Sequence, residues 1–322
     1  MAALPELPAA RIVALHHVSA QDLTELLEQE HSEWRKILDW DISDASELVD
    51  RFVRMQSLNG FALLRGARVI GYLYFVREEH KALIGDMYVM PGERTQENSY
   101  ALLEAAVDAL RAAPGVHRIE SQFLLEYLSA GRSVARPFSN RLTIYPRKFM
   151  MAHLKGPSAL APRVREQVRI EPWRPHHHEA SAWLIASGYK GHVDADINDQ
   201  YRSPAGARRF LANIVQYPGC GSFFAPGSFA ASEEAGGALC GVSLASLVAS
   251  DSGHVTQLCV SQAYRGQGLG YELLRRSMDA LAAQGCRTAS LTVTSSNREA
   301  IDLYRSMGFA EHHEFPACIW EL

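Results

Sequence analysis

The sequence predicts an α/β chain of the α+β type, built as two consecutive copies of one fold. Two observations lead there. The chain aligns with itself, without a gap, at a spacing of 171 residues: Val89 falls on Val260, Arg94 on Arg265, Tyr100 on Tyr271, Leu103 on Leu274, and the Asp-Ala-Leu run at 108–110 on that at 279–281. Strand-like alternation and helical periodicity also follow one another in the same order in both halves. The length of 322 residues suits two domains at roughly 150 residues each. The expected boundaries are 1–155 and 168–322, joined by a polar linker at 156–167 that holds Pro157 and Pro162.

Each half opens on a short strand, at 11–16 and 168–171, followed by a helical pattern at 22–37 and 177–187. A second helix comes at 46–55 and 204–215, then antiparallel strands at 61–77 and 222–249. In the second half, 255–260 reads as a strand, 271–283 as a helix and 289–294 as a strand again. The first strand and the helix are joined by Arg265-Gly266-Gln267-Gly268-Leu269-Gly270. Glycines at such a turn allow close backbone approach, and the free N–H groups of the first helical turn form an anion site with the helix dipole. The sequence therefore places a phosphate or pyrophosphate at this loop, with Arg265 adding charge at its mouth. Tyr271-Glu272 follows where a Walker loop needs Lys-Ser/Thr, and the alternate glycines do not fit the dinucleotide spacing.

Composition excludes several classes. Net charge is −4 at pH 7, which argues against nucleic acid or an anionic membrane surface as partner. Residues 1–10 carry no basic residue and no long apolar run, unlike a signal peptide, and the most apolar stretch, 61–76, is broken by Arg65 and Arg68. The five cysteines, Cys220, Cys240, Cys259, Cys286 and Cys318, are isolated, which fits a reduced, cytoplasmic setting with neither a disulfide framework nor zinc.

The pattern R-x-x-G-x-G, preceded by Leu258-Cys259-Val260 and followed by a strand and by Asn297, Ala300, Leu303-Tyr304 and Gly308-Phe309, resembles the two acetyl-CoA motifs of the GNAT superfamily of N-acetyltransferases over residues 168–322. The resemblance implies tandem GNAT folds, each a mixed, mostly antiparallel sheet flanked by helices. It also implies acetyl transfer from acetyl-CoA to an amine, with no metal. Leu258, Cys259 and Val260 would offer a main-chain N–H to the thioester carbonyl, and Arg265, Gly266, Gln267, Gly268, Leu269 and Gly270 would hold the pyrophosphate. Asn297 would cap its helix and bond the pantetheine arm; capping alone explains it equally. Tyr304 would protonate the leaving thiolate, or serve only as a half-buried aromatic.

For the base that deprotonates the amine, His254 stands near the start of the family's fourth strand; ordered water is the alternative, and His312 and His313 are further candidates. Cys259 as an acetyl carrier lacks an activating partner in the sequence. The run His176-His177-His178 lies at a helix start, where neighbouring side chains are expected to diverge. The loop at 189–199 is the expected acceptor segment. Its Tyr189, Asp194 and Asp196, with Glu311 and Glu314, would attract a cationic small molecule or peptide amine, or form a solvated turn-rich loop.

In the first copy Glu97 falls on Gly268 and Ser99 on Gly270, so this copy is expected to have lost the cosubstrate, with Arg94 a relic or surface charge. Tandem chains with one degenerate half resemble the mycothiol synthase arrangement. A non-catalytic acetyl-CoA-binding scaffold is the rival reading.

Overall fold

The computed structural model describes residues 9–125, 141–156, 159–163, 168–217, 219–234 and 236–322. They form two compact units. Unit 1 holds the described residues up to Leu38, Ser43–Pro146 and Phe315–Leu322; unit 2 holds Asp39–Ile42 and Arg147–Glu314.

In unit 1 the strands are β1 (Ala10–Ala14), β2 (Asn59–Arg65), β3 (Arg68–Glu78), β4 (Lys81–Val89) and β5 (Arg118–Gln122), and the helices are α1 (Ala20–Leu38), α2 (Ser43–Arg54) and α3 (Gln96–Arg111). β6 (Leu142–His153) enters unit 2 from Arg147 onward. Unit 2 continues with β7 (Val168–Pro172), α4 (His178–Gly188), α5 (Asp194–Ile197), α6 (Pro204–Gln216), β8 (Ser222–Phe223), β9 (Phe229–Glu233), β10 (Leu239–Ala249), β11 (Ser252–Val260), α7 (Leu269–Gln284), β12 (Thr288–Thr294) and α8 (Arg298–Ser306). β13 (Ala310–Glu321) ends in unit 1.

The two sheets share one plan. Unit 1 runs β1-β2-β3-β4-β5 and then Ala317–Glu321 of β13; unit 2 runs β7-β9-β10-β11-β12 and then Arg147–His153 of β6, with β8 beside β10. Among the described strand pairs within these two sheets, all are antiparallel except β4 with β5 and β11 with β12. The sheet is thus mixed and mostly antiparallel, as the resemblance implies. The 171-residue spacing holds to the residue at both ends of β3 and β10 and of β4 and β11. Even the β-bulge recurs: the register skips Gly85 in unit 1 and Thr256 in unit 2, again 171 apart. A bulge inserts one residue and so resets which side chains share a face. His254, Gln257 and Cys259 consequently lie on one face of β11.

The segmentation departs from the expected break at 156–167. Positions 157, 158 and 164–167 of that linker, Pro157 among them, lie outside the described residues, but 159–163 pack within unit 2. The last strand of each sheet also comes from the other half of the sequence. Turn-forming residues mark where a chain bends locally; they carry no record of which distant strand fills a sheet edge.

Helix positions follow ordinary physics. α1 opens on Ser19, whose hydroxyl accepts from the Asp22 N–H at 3.3 Å while the Asp22 carboxylate accepts from the Ser19 N–H at 3.0 Å. Its buried stripe is Leu23, Leu26, Leu27, Glu30, Trp34 and Leu38, an i, i+3, i+4 pattern with an acid in its middle. The core of unit 1 is sealed by Trp320 and Cys318 of β13 among residues of β3, β4 and α3. In unit 2, α7 and α8 pack on one face of the sheet and α4 and α6 on the other.

Candidate active site

β11 and β12 pair only from Ser252/Thr288 to His254/Ser290. Beyond His254 the strands part, and the β12-side main chain of β11 through Leu258, Cys259 and Val260 has no strand partner among the described residues. A short 3-10 turn, Gln262–Tyr264, leads into the glycine loop. Gly266 and Gly268 have φ of 66° and 85°, the left-handed region that favours glycine. Gly268 is the N-cap of α7, and the amides of Leu269 and Gly270 have no acceptor among the described residues. Arg265, Gly266 and Gln267 are exposed. The loop thus has the left-handed glycines and free first-turn amides that the sequence led one to expect.

Arg265 is used differently from the expectation. Its Nε donates to Val260 O at 3.3 Å and its Nη2 to Gly188 O at 2.7 Å, latching the loop to the ends of β11 and α4. Arg94 does the corresponding thing in unit 1: Nε donates to Val89 O at 3.1 Å, while Nη2 pairs with Glu33 at 2.7 Å. Arg94 is thus a partly buried structural latch and not a stray surface charge. Helix α3 begins at Gln96, two residues ahead of the position equivalent to the start of α7, and Thr95 caps it by accepting from Asn98 N–H at 3.2 Å. Unit 1 fills with helix and a side-chain cap the space that unit 2 keeps open with glycine.

On α8, Asn297 Oδ1 accepts from Ala300 N–H at 3.2 Å, and Tyr304, two turns on, is 9% exposed. The Tyr304 hydroxyl has no hydrogen-bond partner among the described residues. Burial, reinforced by the charge of Asp194 and opposed by Arg147, pushes its phenol above the ordinary tyrosine value, so it stays protonated.

The acceptor segment contributes a polar cluster that the sequence showed only in part. Tyr189 and Tyr201 stack with centroids 4.4 Å apart, and Gln257 bridges them: its Nε2 donates to Tyr189 Oη at 2.9 Å and its Oε1 accepts from Tyr201 Oη at 3.3 Å. Burial pushes both phenols up. Asp194 accepts from Thr294 Oγ1 at the splayed end of β12, and its N–H donates to His192 Nδ1 at 3.1 Å. His192 Nε2 lies 3.3 Å from Asn297 Nδ2, so the acceptor segment meets the cap of α8. Arg147 and Tyr201 lay outside every motif, whereas Gln257 opened the strand segment before the glycine loop and His192 lay in the expected acceptor loop, neither with a role that the sequence could assign.

Other expected site residues fall elsewhere. Asp196 is exposed and 3.8 Å from Arg202, and Glu311 is paired with Lys148 at 2.7 Å and Arg305 at 2.5 Å, so neither carboxylate joins the cluster. Glu314 accepts from Ser295 at 3.2 Å, and the His312 ring lies 6.3 Å from Phe149. His254 sits on the paired side of the splay, 4% exposed, between Trp40 (ring centroids 4.8 Å) and Phe149 (6.3 Å). Its Nδ1 is 2.9 Å from Ser290 Oγ, which donates on to Gly253 O at 3.2 Å. Burial, with Arg147 adding, lowers its pKa to about 3. A group that holds a proton so weakly is a poor acceptor from an ammonium. The Cys259 Sγ points to Leu184 O at 3.8 Å, and burial pushes its thiol up to about 12, the wrong direction for a nucleophile.

The histidine run also differs from expectation. His176 and His177 converge, Nε2 to Nε2 at 3.0 Å, with Glu171 Oε1 3.1 Å from His177. However, His177 Nδ1 accepts the Arg174 N–H at 3.0 Å, which leaves the ring proton on Nε2. A metal-bound imidazole needs the reverse, a lone pair on the liganding nitrogen and a proton on the other. The residues present therefore fit a hydrogen-bonded cap and do not fit a metal ion.

Mycothiol acetyltransferase of Streptomyces avermitilis is 25% identical over 284 residues, 84% of this chain and 82% of that one. The [Ribosomal protein bS18]-alanine N-acetyltransferase of Escherichia coli is 41% identical over 61 residues, 19% of this chain and 41% of the relative. N-alpha-acetyltransferase MAK3 of Arabidopsis thaliana is 37% identical over 57 residues, and the chain spans only 30% of its length. Among solved structures, a GCN5-related N-acetyltransferase from Sphaerobacter thermophilus superposes with a TM-score of 0.69 at 18% identity, covering 98% of this chain and 96% of the other. A tandem GNAT protein from the clavulanic acid biosynthesis pathway gives 0.58 at 18% identity, covering 97% and 98%. These two likenesses show the shared fold. The model of the Acetyltransferase (GNAT) family matches residues 193–309, a stretch that carries the acceptor segment from Val193 onward, the splayed strands, the glycine loop and Tyr304, so this part of the chain is similar to the GNAT acetyltransferases.

Proposed function

We propose that unit 2 transfers the acetyl group of acetyl-CoA to an amine of a small molecule or peptide by direct attack in a ternary complex. The observation that carries this reading is Tyr304: a phenol kept protonated and without a hydrogen-bond partner among the described residues, on the helix capped by Asn297 and close enough to Asp194 to sense its charge. Acetyl-CoA would lay its pyrophosphate on the Leu269 and Gly270 amides and its thioester in the gap between β11 and β12. A main-chain N–H from Leu258 to Val260 would stabilise the oxyanion. Asp194 holds the incoming ammonium, which gives one proton to water; the nitrogen–carbon bond forms, the nitrogen gives its second proton to solvent, the carbon–sulfur bond breaks, and the thiolate takes the Tyr304 proton, which solvent replaces. The base role expected of His254 finds no support in its surroundings.

The acceptor on a thiol-containing metabolite precursor is a second reading, favoured by the mycothiol acetyltransferase likeness that spans 84% of the chain. Screening amines and thiols with acetyl-CoA while following release of CoA thiol tests both. Turnover that falls tenfold or more in Tyr304→Phe, with CoA affinity kept, supports the mechanism. Tight CoA binding with no acceptor turned over would leave a binding protein instead.

A further inference from the structure

Residues 159–163, which composition reads as linker, lie along the first turn of α7. The Tyr271 hydroxyl donates to Ala161 O at 3.1 Å, and Arg163 N–H donates to Glu272 Oε2 at 2.9 Å. The Arg163 guanidinium lies over the Tyr271 ring, 4.0 Å from its centroid, a cation–π contact that orients a planar cation. The Arg163 stem also passes 3.7 Å from where a Cβ on Gly268 would stand, so the side chain borders the N-cap of the anion loop.

Charge around this turn is unevenly committed. Arg265 spends two donors on the carbonyls of Gly188 and Val260. Arg275 and Arg276 are bound to Glu272 at 2.8 and 2.9 Å. Burial works to raise the Glu272 carboxyl, but hydrogen bonds from Arg275, the Arg163 N–H and Arg276 outweigh it and hold the pKa at about 2, so this acid stays ionised and neutralised by its own helix. Arg163 is exposed and has no carboxylate partner among the described residues.

We propose that Arg163 is a phosphate ligand of the CoA cosubstrate, stacked on Tyr271 so that its guanidinium meets the phosphates held at the Gly268–Gly270 amides. This assignment rests on the acetyl-CoA reading of unit 2. Arginine suits the task because its planar fork can contact two phosphate oxygens while its face stays on the ring. The loop then supplies directional N–H groups, and the strap at 159–163 supplies the charge.

Calorimetric titration of the full chain with CoA and with 3′-dephospho-CoA tests this on wild type, Arg163→Gln and Arg163→Lys. Arg163→Gln is expected to weaken CoA about tenfold at low salt, the loss of one charge-assisted contact. Arg163→Lys should recover part of the affinity, the gap between wild type and Arg163→Gln should narrow at high salt, and the melting temperature should not move. Equal losses for both ligands identify the pyrophosphate as the group contacted; a loss confined to CoA identifies the 3′-phosphate. Arg163→Gln binding CoA within twofold of wild type, or a salt-independent loss, would overturn the assignment while leaving the CoA site intact. Wild type that binds no CoA would instead remove the underlying reading, and this assignment with it.

Discussion

Glu30 and Asp86 should make unit 1 lose stability as pH rises. Glu30 is 1% exposed in the apolar stripe of α1; its Oε2 accepts from Tyr72 Oη at 2.9 Å. Asp86 follows the bulge on β4 and accepts from Met87 N–H at 2.8 Å. Around them stand Tyr72 and Tyr74 of β3, Tyr88 of β4 and Trp34 of α1, with the Arg94–Glu33 pair beyond Tyr88. Burial, then the charge of Asp86, raises Glu30 well above an ordinary carboxylate, and burial raises Asp86 to about 6. A folded pKa raised above the unfolded one gives stability that is whole below about pH 4 and drains away as pH climbs through the folded value. A rise of about two units at Asp86 costs about 3 kcal/mol once the pair must ionise. Glu30→Gln keeps an acceptor for Tyr72 and gains an N–H for Asp86, so it should remove much of that loss, on the order of 1–3 kcal/mol at pH 8 and little at pH 5. Amide exchange read on peptides from α1 and β4 between pH 5 and 8.5 follows unit 1 by itself. An unchanged pH dependence in Glu30→Gln, or a variant less protected at pH 8, would refute the reasoning.

Unit 2 should respond in the opposite sense. A histidine whose folded pKa falls from 6.5 to about 3 contributes stability that is whole above 6.5 and lost as pH drops toward 3. Exchange in β11 and β12 should therefore quicken on acidification, and the pH–rate profile between 5 and 8 should show no His254 titration. Gly268→Ala places a Cβ on a residue with φ of 85°, so it should cost about 1 kcal/mol of stability and sharply weaken CoA, measured by melting and calorimetry. Calorimetry should also return one CoA per chain, because Thr95 and the earlier start of α3 close the equivalent place in unit 1. A fragment ending at residue 155 lacks the β13 residues that flank β5 and should be poorly folded by circular dichroism; adding residues 310–322 in trans should improve it.

The spacing of 171 was legible because both copies keep the length of β3, β4 and the turn after them, down to the bulge at Gly85 and Thr256. The glycine loop was legible because its left-handed residues demand glycine, a constraint written locally. What escaped was set by partners far apart in sequence. Arg265 and Arg94 share a motif position, yet only the carbonyls of Val260 and Val89 reveal that both are latches first. His254 stood in the sequence as a candidate base beside ordered water, and only Trp40 and Phe149, more than a hundred residues away, show that it is sealed. Gln257 and Asp86 occupy the same place after the bulge. In unit 2 the amide binds two tyrosines and leaves Asp194, opposed by Arg147, as the carboxylate of the cluster; in unit 1 a second acid, Glu30, faces Asp86. A buried acid pair is costly unless it keeps a proton, whereas a neutral amide leaves room for a cationic acceptor beside a single carboxylate. That contrast argues that the polar side of the splayed strands, and not the glycine loop alone, separates the copy proposed to turn over an amine from the copy expected to have lost the cosubstrate.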